Sequence, residues 1–143
     1  MRVCGIELVG NEAIIAIMQL KNGLYEAPQV RTRKFVLADP INTAPLKKFQ
    51  FEVLQFLKDY KVTTVVIIQR ALKGKFAGGS LTFKMEGALQ LIPDINVLVV
   101  SLAYLKEGAS KAQNKPKAVE LGFKKFQEPA MLAAFRYLEQ KML

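Results

Sequence analysis

The stretch TTVVIIQ at residues 63–69 decides the fold, because it is β-branched or apolar at nearly every position. Such a run is typical of a central strand that is covered on both faces. Further along the chain, a loop over 70–79 leads to a predicted helix that Ser80 caps and Pro93 stops, followed by a strand over 95–101. A strand, a helix and a strand in this order form a right-handed unit whose strands are parallel.

Three antiparallel strands are predicted before this unit. The apolar runs 2–8 and 13–20 flank the turn Gly10-Asn11 and predict a hairpin. A third segment, residues 30–37, carries charged positions along its length, which is typical of an edge strand.

Helices are predicted between and after the strands. Asp39-Pro40 breaks the chain, and apolar residues at helical spacing then run to Tyr60, with Asn42 or Thr43 as the cap. The polar stretch 106–117 is predicted to be largely loop, with a short helix to Leu121. A terminal helix starts near Pro129, and its predicted sheet-facing residues are Met131, Phe135, Leu138 and Met142.

This order of elements predicts the fold class. Three antiparallel strands, a helix, a β-α-β unit and a closing helix are expected to form a ribonuclease H-like α/β fold, a mixed five-stranded sheet with helices on both faces. A chain of 143 residues suits one such domain, over residues 1–143.

Composition narrows the function classes. The absence of histidine excludes Ser-His-Asp and Cys-His nucleophile systems and HExxH zinc sites. A net charge of +9 suggests a polyanionic partner such as nucleic acid, or serves only solubility. The apolar stretches are too short for a transmembrane helix, no signal peptide is recognised, and the lone Cys4 favours the reducing cytoplasm.

Three residues form the candidate catalytic set. Glu7 interrupts an apolar run, so its carboxylate needs a cation, either a metal ion or a lysine. Glu128 precedes Pro129 at the start of the last helix, where it either caps the helix or binds a hard cation. In the predicted fold the first and fourth strands are neighbours, so Glu7 should meet Gln69 close to Glu128. Glu7 and Glu128 are then the expected ligands of Mg²⁺ or Mn²⁺.

The loop after residue 69 is the candidate nucleic-acid-binding segment. Its cations alternate with glycines and lead into a helix N-terminus, where free N–H groups favour phosphate. An aromatic ring in the loop can stack on a base or belong to the core. The alternative is a solvated turn. The predicted binding residues of this segment are Arg70, Lys73, Lys75, Phe76, Gly78, Gly79 and Ser80. Lys106, after the fifth strand, is expected to widen the basic surface beside Glu7.

Several stretches resemble known families. Gly5-Ile6-Glu7 is similar to the Gly-Ile-Asp opening of RuvC-type nucleases, the bacterial Holliday-junction resolvases. Nearly the whole chain resembles a small bacterial family, domain of unknown function number 3010, through Val3-Cys4-Gly5-Ile6-Glu7, Gly10-Asn11-Glu12-Ala13, Lys73-Gly74-Lys75-Phe76-Ala77-Gly78-Gly79, Phe83-Lys84-Met85-Glu86 and Phe126-Gln127-Glu128-Pro129-Ala130. The resemblance implies a ribonuclease H-like fold and brings no activity with it.

The resolvase pattern is only partly present, which leaves three hypotheses. Glu7 stands where resolvases have Asp, Gln69 stands where they have Glu, and their closing Asp pair is reduced to Glu128 and Ala130. The chain is therefore a metal-dependent nuclease on DNA or RNA structure, a non-catalytic nucleic-acid-binding module, or a protein-interaction module, such as a homodimer. One metal ion or none is expected, because two dications need more negative ligands.

Overall fold

A computed structural model describes residues 1–74, 78–111 and 115–141, except for the side chains of 108–111. The strands are β1 (Arg2–Val9), β2 (Glu12–Lys21), β3 (Leu24–Glu26), β4 (Lys34–Val36), β5 (Thr64–Ile68) and β6 (Asn96–Val100). The helices are α1 (Thr43–Asp59), α2 (Ser80–Gln90), α3 (Leu102–Lys111) and α4 (Glu128–Lys141), with 3₁₀ turns at Val119–Leu121 and Lys125–Gln127.

The sheet is mixed and has the order β3-β2-β1-β5-β6, with β4 also paired to β2. β1 is antiparallel to β2 and parallel to β5, and β5 is parallel to β6. All five residues of β5 are buried, as its apolar run predicts. This arrangement confirms the ribonuclease H-like sheet and its parallel β-α-β unit.

Helices cover both faces of the sheet, as predicted. One core cluster joins Cys4, Ile6 and Leu8 of β1 to α1 and α2. A second cluster joins Val3, on the other face of β1, to α4 and to Leu105 of α3. Because side chains alternate along a strand, Val3, Gly5 and Glu7 all belong to the α4 face.

The predicted third strand is split in two. β3 pairs with the end of β2 through Gln19 and Glu26, and β4 pairs with its start. Continuing the β3 register would place Pro28 opposite Ile17, and proline has no N–H to donate. The chain therefore leaves the sheet after β3 and rejoins it where Arg33 O accepts from Ile15 N–H at 2.9 Å. Only Lys34–Val36 of the predicted segment 30–37 is strand.

Two local predictions need correction. Gly79, not Ser80, is the N-cap of α2, and no side-chain hydrogen bond caps this helix. The segment after β6, predicted to become loop by residue 106, forms α3 up to Lys111. Its polar composition concealed the helix, which is held by buried Leu105 and by Arg136 Nε, which donates to Tyr104 O at 3.2 Å.

The terminal helix is confirmed, and its direction matters for the site. Gln127 Nε2, one residue before α4, donates to Ile15 O at 2.8 Å, and Ile15 pairs with Ile6 of β1. Phe135 contacts the Tyr25 ring, with the ring centroids 4.8 Å apart, beyond the opposite end of β1. α4 therefore begins at the carboxyl end of β1 and runs antiparallel to it. Met142 lies outside the described residues.

Within the described part of the chain, no helix is both long and apolar enough to cross a bilayer.

Candidate functional site

Glu7 lies near the carboxyl end of β1, on the face that α4 covers. Its side chain is half-buried, and burial raises the pKa of the Glu7 carboxyl above 4.5, while the nearby Arg70 charge lowers it. None of the ion pairs within 4.0 Å among the described residues involves Glu7. The Glu7 carboxylate is thus partly shielded from solvent, and a cation lies near it but outside ion-pair distance.

Arg70 is that cation, and its side chain is held in place. The Cβ and Cγ of Arg70 lie 2.5 and 3.1 Å from the point that a Cβ on Gly78 would occupy. Gly78 N–H donates to Ala71 O at 2.8 Å, which fixes this approach. The Arg70 Nε is buried and has no hydrogen-bond partner in the part of the chain that the structure describes. Gly78 is therefore needed for the space it leaves to Arg70.

Gln69 is exposed, and no hydrogen bond of its side chain is found in the described region. Its backbone N–H donates to Val100 O at 2.7 Å, which prolongs the β5–β6 ladder. The side chain lines a shallow cavity of about 370 Å³ together with Arg70, Lys73 and Leu102. The structure thus places Gln69 beside Arg70 in one cavity wall, and no hydrogen bond between the side chains of Gln69 and Glu7 is found in the described region.

Glu128 is the exposed first residue of α4. It lines a cavity of about 410 Å³ whose wall includes Lys106, Lys125 and Leu102. Since α4 starts at the carboxyl end of β1, Glu128 and Glu7 lie at the same end of the sheet. Lys106, predicted to widen the basic surface, lies on α3 and lines the same cavity as Glu128.

These cavities form one continuous surface. The first two share Leu102, and a third, of about 540 Å³, shares Lys125 and Glu128 with the second. Cations outnumber acids along it. We call this surface the basic rim, and its charged residues are Arg70, Lys73, Lys106, Lys115, Lys117 and Lys125, with Glu120 and Glu128.

The remaining predicted loop residues have different positions. Lys73 is exposed, Gly79 caps α2, and Ser80 is the exposed first residue of that helix. Lys75 and Phe76 lie outside the described residues.

Sequence reasoning missed Lys125 and Gln127. Lys125 joins the rim because a 3₁₀ turn carries it to the start of α4, and its charge alone does not distinguish it from other lysines. Gln127 is buried, accepting from Lys124 N–H at 2.8 Å and donating to Ile15 O. No sequence signal could have found it, because the residue three positions earlier is Lys124, which is not one of the residue types that cap helices.

Residues 1–137 match the family described as "Protein of unknown function (DUF3010)". The chain belongs to this family. None of the curated proteins compared with the chain matches it.

Solved structures share the fold. Thermus thermophilus RuvC has a TM-score of 0.74 at 14% identity, with 99% of this chain and 96% of that chain covered. The same values hold for T. thermophilus RuvC in complex with Holliday junction substrate. The yeast mitochondrial Holliday junction resolvase Ydc2 has a TM-score of 0.58 at 9% identity, with 94% and 74% covered. At such identities the likeness establishes the ribonuclease H-like fold of this DUF3010 member.

The residues present do not fit a two-metal centre. Such a centre needs several negative ligands around ions roughly 3.5–4 Å apart. No group of three His, Cys, Asp or Glu side chains that could hold an ion occurs among residues 1–74, 78–111 and 115–141. The site contains instead a guanidinium close enough to lower the pKa of the Glu7 carboxyl against the larger effect of burial. A positive charge in that place opposes the binding of a dication.

Proposed function

We propose that this protein binds nucleic acid, DNA or RNA, along the basic rim. The observation that carries the proposal is the continuity of the rim, which passes from Arg70 and Lys73 to Lys106 and Lys125. These residues belong to distant parts of the chain, so their common surface is a property of the fold.

The charges suit a phosphate backbone. Lys73, Lys106 and Lys125 are exposed, so they can neutralise phosphates and release counterions. The whole chain carries a net charge of +9, which favours long-range attraction of a polyanion. Binding of this kind reads the backbone and is strongly salt-dependent.

Branched DNA is the first substrate to test. A neighbour of the same fold, T. thermophilus RuvC, has been solved in complex with Holliday junction substrate. The concave shape of the rim, with cations on both sides of Leu102, is compatible with two backbone segments that meet at a branch.

Metal-dependent cleavage is the second candidate function. It is favoured by one observation, that Glu7 and Glu128 are two carboxylates at the same end of the sheet. We rank cleavage below binding because Gln69 adds no negative charge and because the positive charge of Arg70 near Glu7 opposes the binding of a metal ion.

One titration tests the first candidate. Fluorescence anisotropy would measure binding of four-way junction, linear duplex and single-stranded DNA, with matched RNAs, over a salt series. We expect binding that weakens linearly in a plot of log affinity against log salt concentration. No binding at low salt would contradict the proposal.

Incubation of the same substrates with Mg²⁺ or Mn²⁺ tests the second candidate. Wild type and Glu7→Gln would be compared for product formation. Metal-dependent cleavage by wild type that Glu7→Gln abolishes would establish a nuclease. Intact substrate in both reactions would leave the binding function.

A further inference from the structure

We propose that the Arg70 guanidinium is the resident cation of Glu7, in place of a divalent metal ion. It follows that nucleic-acid binding at the basic rim is independent of metal. Only this second statement rests on the proposed function, since the first concerns the free protein.

The two residues lie at the same end of neighbouring strands. β1 and β5 are parallel and in register through Ile6 and Ile67. Glu7 directly follows Ile6, and Arg70 is the third residue after Ile67. Both side chains therefore belong to the edge of the sheet where α4 begins.

The position of Arg70 is built into the fold. The close approach of Gly78 leaves no room for another side chain beside the Arg70 stem. A guanidinium is also the cation best suited to this half-buried site, because it stays protonated and is weakly hydrated. No atom of the described residues accepts a hydrogen bond from the buried Nε–H of Arg70, so this donor is not used within them. An anionic group can accept from it.

Among the described residues, no other cation pairs with Glu7. The ion pairs in the described ranges engage Lys34, Lys48 and Arg136, none of which pairs with Glu7. Burial raises the pKa of the Glu7 carboxyl, and the charge of Arg70, at the same edge of the sheet, lowers it. One fixed positive charge near one carboxylate leaves little attraction for a dication.

Metal rescue of an arginine variant tests the inference. Junction binding would be measured in EDTA and in Mn²⁺ for wild type, Arg70→Gln, Arg70→Lys, Lys73→Gln and the double variant Arg70→Gln/Glu7→Gln. Wild type should bind equally in both buffers. Arg70→Gln should bind about tenfold more weakly in EDTA, as expected for one lost charge-assisted contact, and Mn²⁺ should restore much of that loss.

The other variants define the control. Lys73→Gln removes an equal charge from the rim, but Mn²⁺ should not rescue it, because no carboxylate loses its cation. The double variant should not respond to Mn²⁺ either. Arg70→Lys keeps the charge and should bind without a metal response. If circular dichroism shows that Arg70→Gln does not fold, the comparison of Mn²⁺ binding by wild type and by Glu7→Gln still tests the inference.

Calorimetric titration with Mn²⁺ alone decides the first statement without nucleic acid. Wild type should show no Glu7-dependent binding, whereas Arg70→Gln should gain binding that the added Glu7→Gln removes. Wild-type Mn²⁺ binding that Glu7→Gln abolishes would overturn the inference, as would the absence of any gain in a folded Arg70→Gln protein. Failure of wild type to bind any nucleic acid would instead reject the proposed function.

Discussion

At the residue scale, the site depends on two glycines that have no room for a side chain. A Cβ on Gly5 would lie 1.8 Å from Ala130 O, so α4 lies directly on the backbone of β1. Gly78 gives Arg70 its place in a similar way. These contacts set the depth of α4 over β1 and hence the surroundings of Glu7, two residues further along the same face.

Replacement of Gly5 by alanine should destabilise the protein. The obstructing atom is a backbone carbonyl, so the helix must move, at a cost of about 3 kcal/mol in the free energy of unfolding. Urea denaturation would measure it. Gly87→Ala is the matched control, because a Cβ there meets nothing within 4 Å, and alanine should stabilise α2 by up to about 1 kcal/mol. Equal stability of Gly5→Ala and wild type would show that α4 does not press on β1.

Glu7 should make stability depend on pH. Burial raises the pKa of the Glu7 carboxyl in the folded state, with Arg70 opposing. A raised pKa means that the stability this group contributes is present below its unfolded pKa of about 4.5 and is lost as pH rises through the folded value. Glu7→Gln should therefore gain stability over wild type at about pH 7 and lose this advantage at about pH 4.

Denaturant unfolding at both pH values, in EDTA, would measure this difference. Glu120→Gln removes an exposed carboxylate and is the matched control. An advantage of Glu7→Gln that is as large in acid as at neutral pH would contradict the assignment.

At the scale of elements, α4 is held at its start by one side chain. Gln127 is buried, and its amide bridges Lys124 N–H and the carbonyl of Ile15. That carbonyl belongs to the outer edge of β2, which the split third strand leaves open. Pro28 ends the regular pairing of β2 opposite Ile17. The edge of β2 is therefore free to accept the hydrogen bond of Gln127, which fixes the start of α4.

Replacement of Gln127 by glutamate should weaken this anchor. A carboxylate still accepts from Lys124 N–H but cannot donate to Ile15 O, and the loss should be about 1–3 kcal/mol of unfolding free energy. Part should return in acid, because the protonated carboxyl regains a donor. Thermal unfolding at two pH values would measure it, with exposed Gln55→Glu as the control. A loss unaffected by pH would point to packing alone.

At the scale of the whole molecule, cations collect where the parallel strands end. The rim lies at the carboxyl ends of β1 and β5, while Lys58 lies at the opposite edge, where α1 ends before β5 begins. Arg2 at that opposite edge is occupied, because it donates to Tyr60 O at 2.8 Å. The exposed cations of the rim remain available to a ligand.

Neutralising two rim lysines should weaken nucleic-acid binding in a salt-dependent way. Lys106→Gln with Lys125→Gln should lower affinity about tenfold or more and reduce the salt slope by roughly 1.8, at about 0.9 for each phosphate contact with duplex DNA. Anisotropy over a salt series would measure both quantities. Lys58→Gln with Lys61→Gln makes the same change in net charge at the opposite edge. Equal losses in the two pairs would show that net charge, and not the rim, determines binding.

The sequence by itself determined the strands and helices that bury their own apolar faces. β5 and α4 can be predicted from local periodicity, because the positions that are buried in them are occupied by apolar residues. It also identified Glu7 as a carboxylate that needs a cation. The tertiary structure alone decided which cation that is, because Arg70 becomes a neighbour of Glu7 only through the register of β1 and β5. The division of the third strand, the helix after β6 and the union of Lys73, Lys106 and Lys125 on one rim likewise depend on contacts between distant segments, which local patterns do not encode.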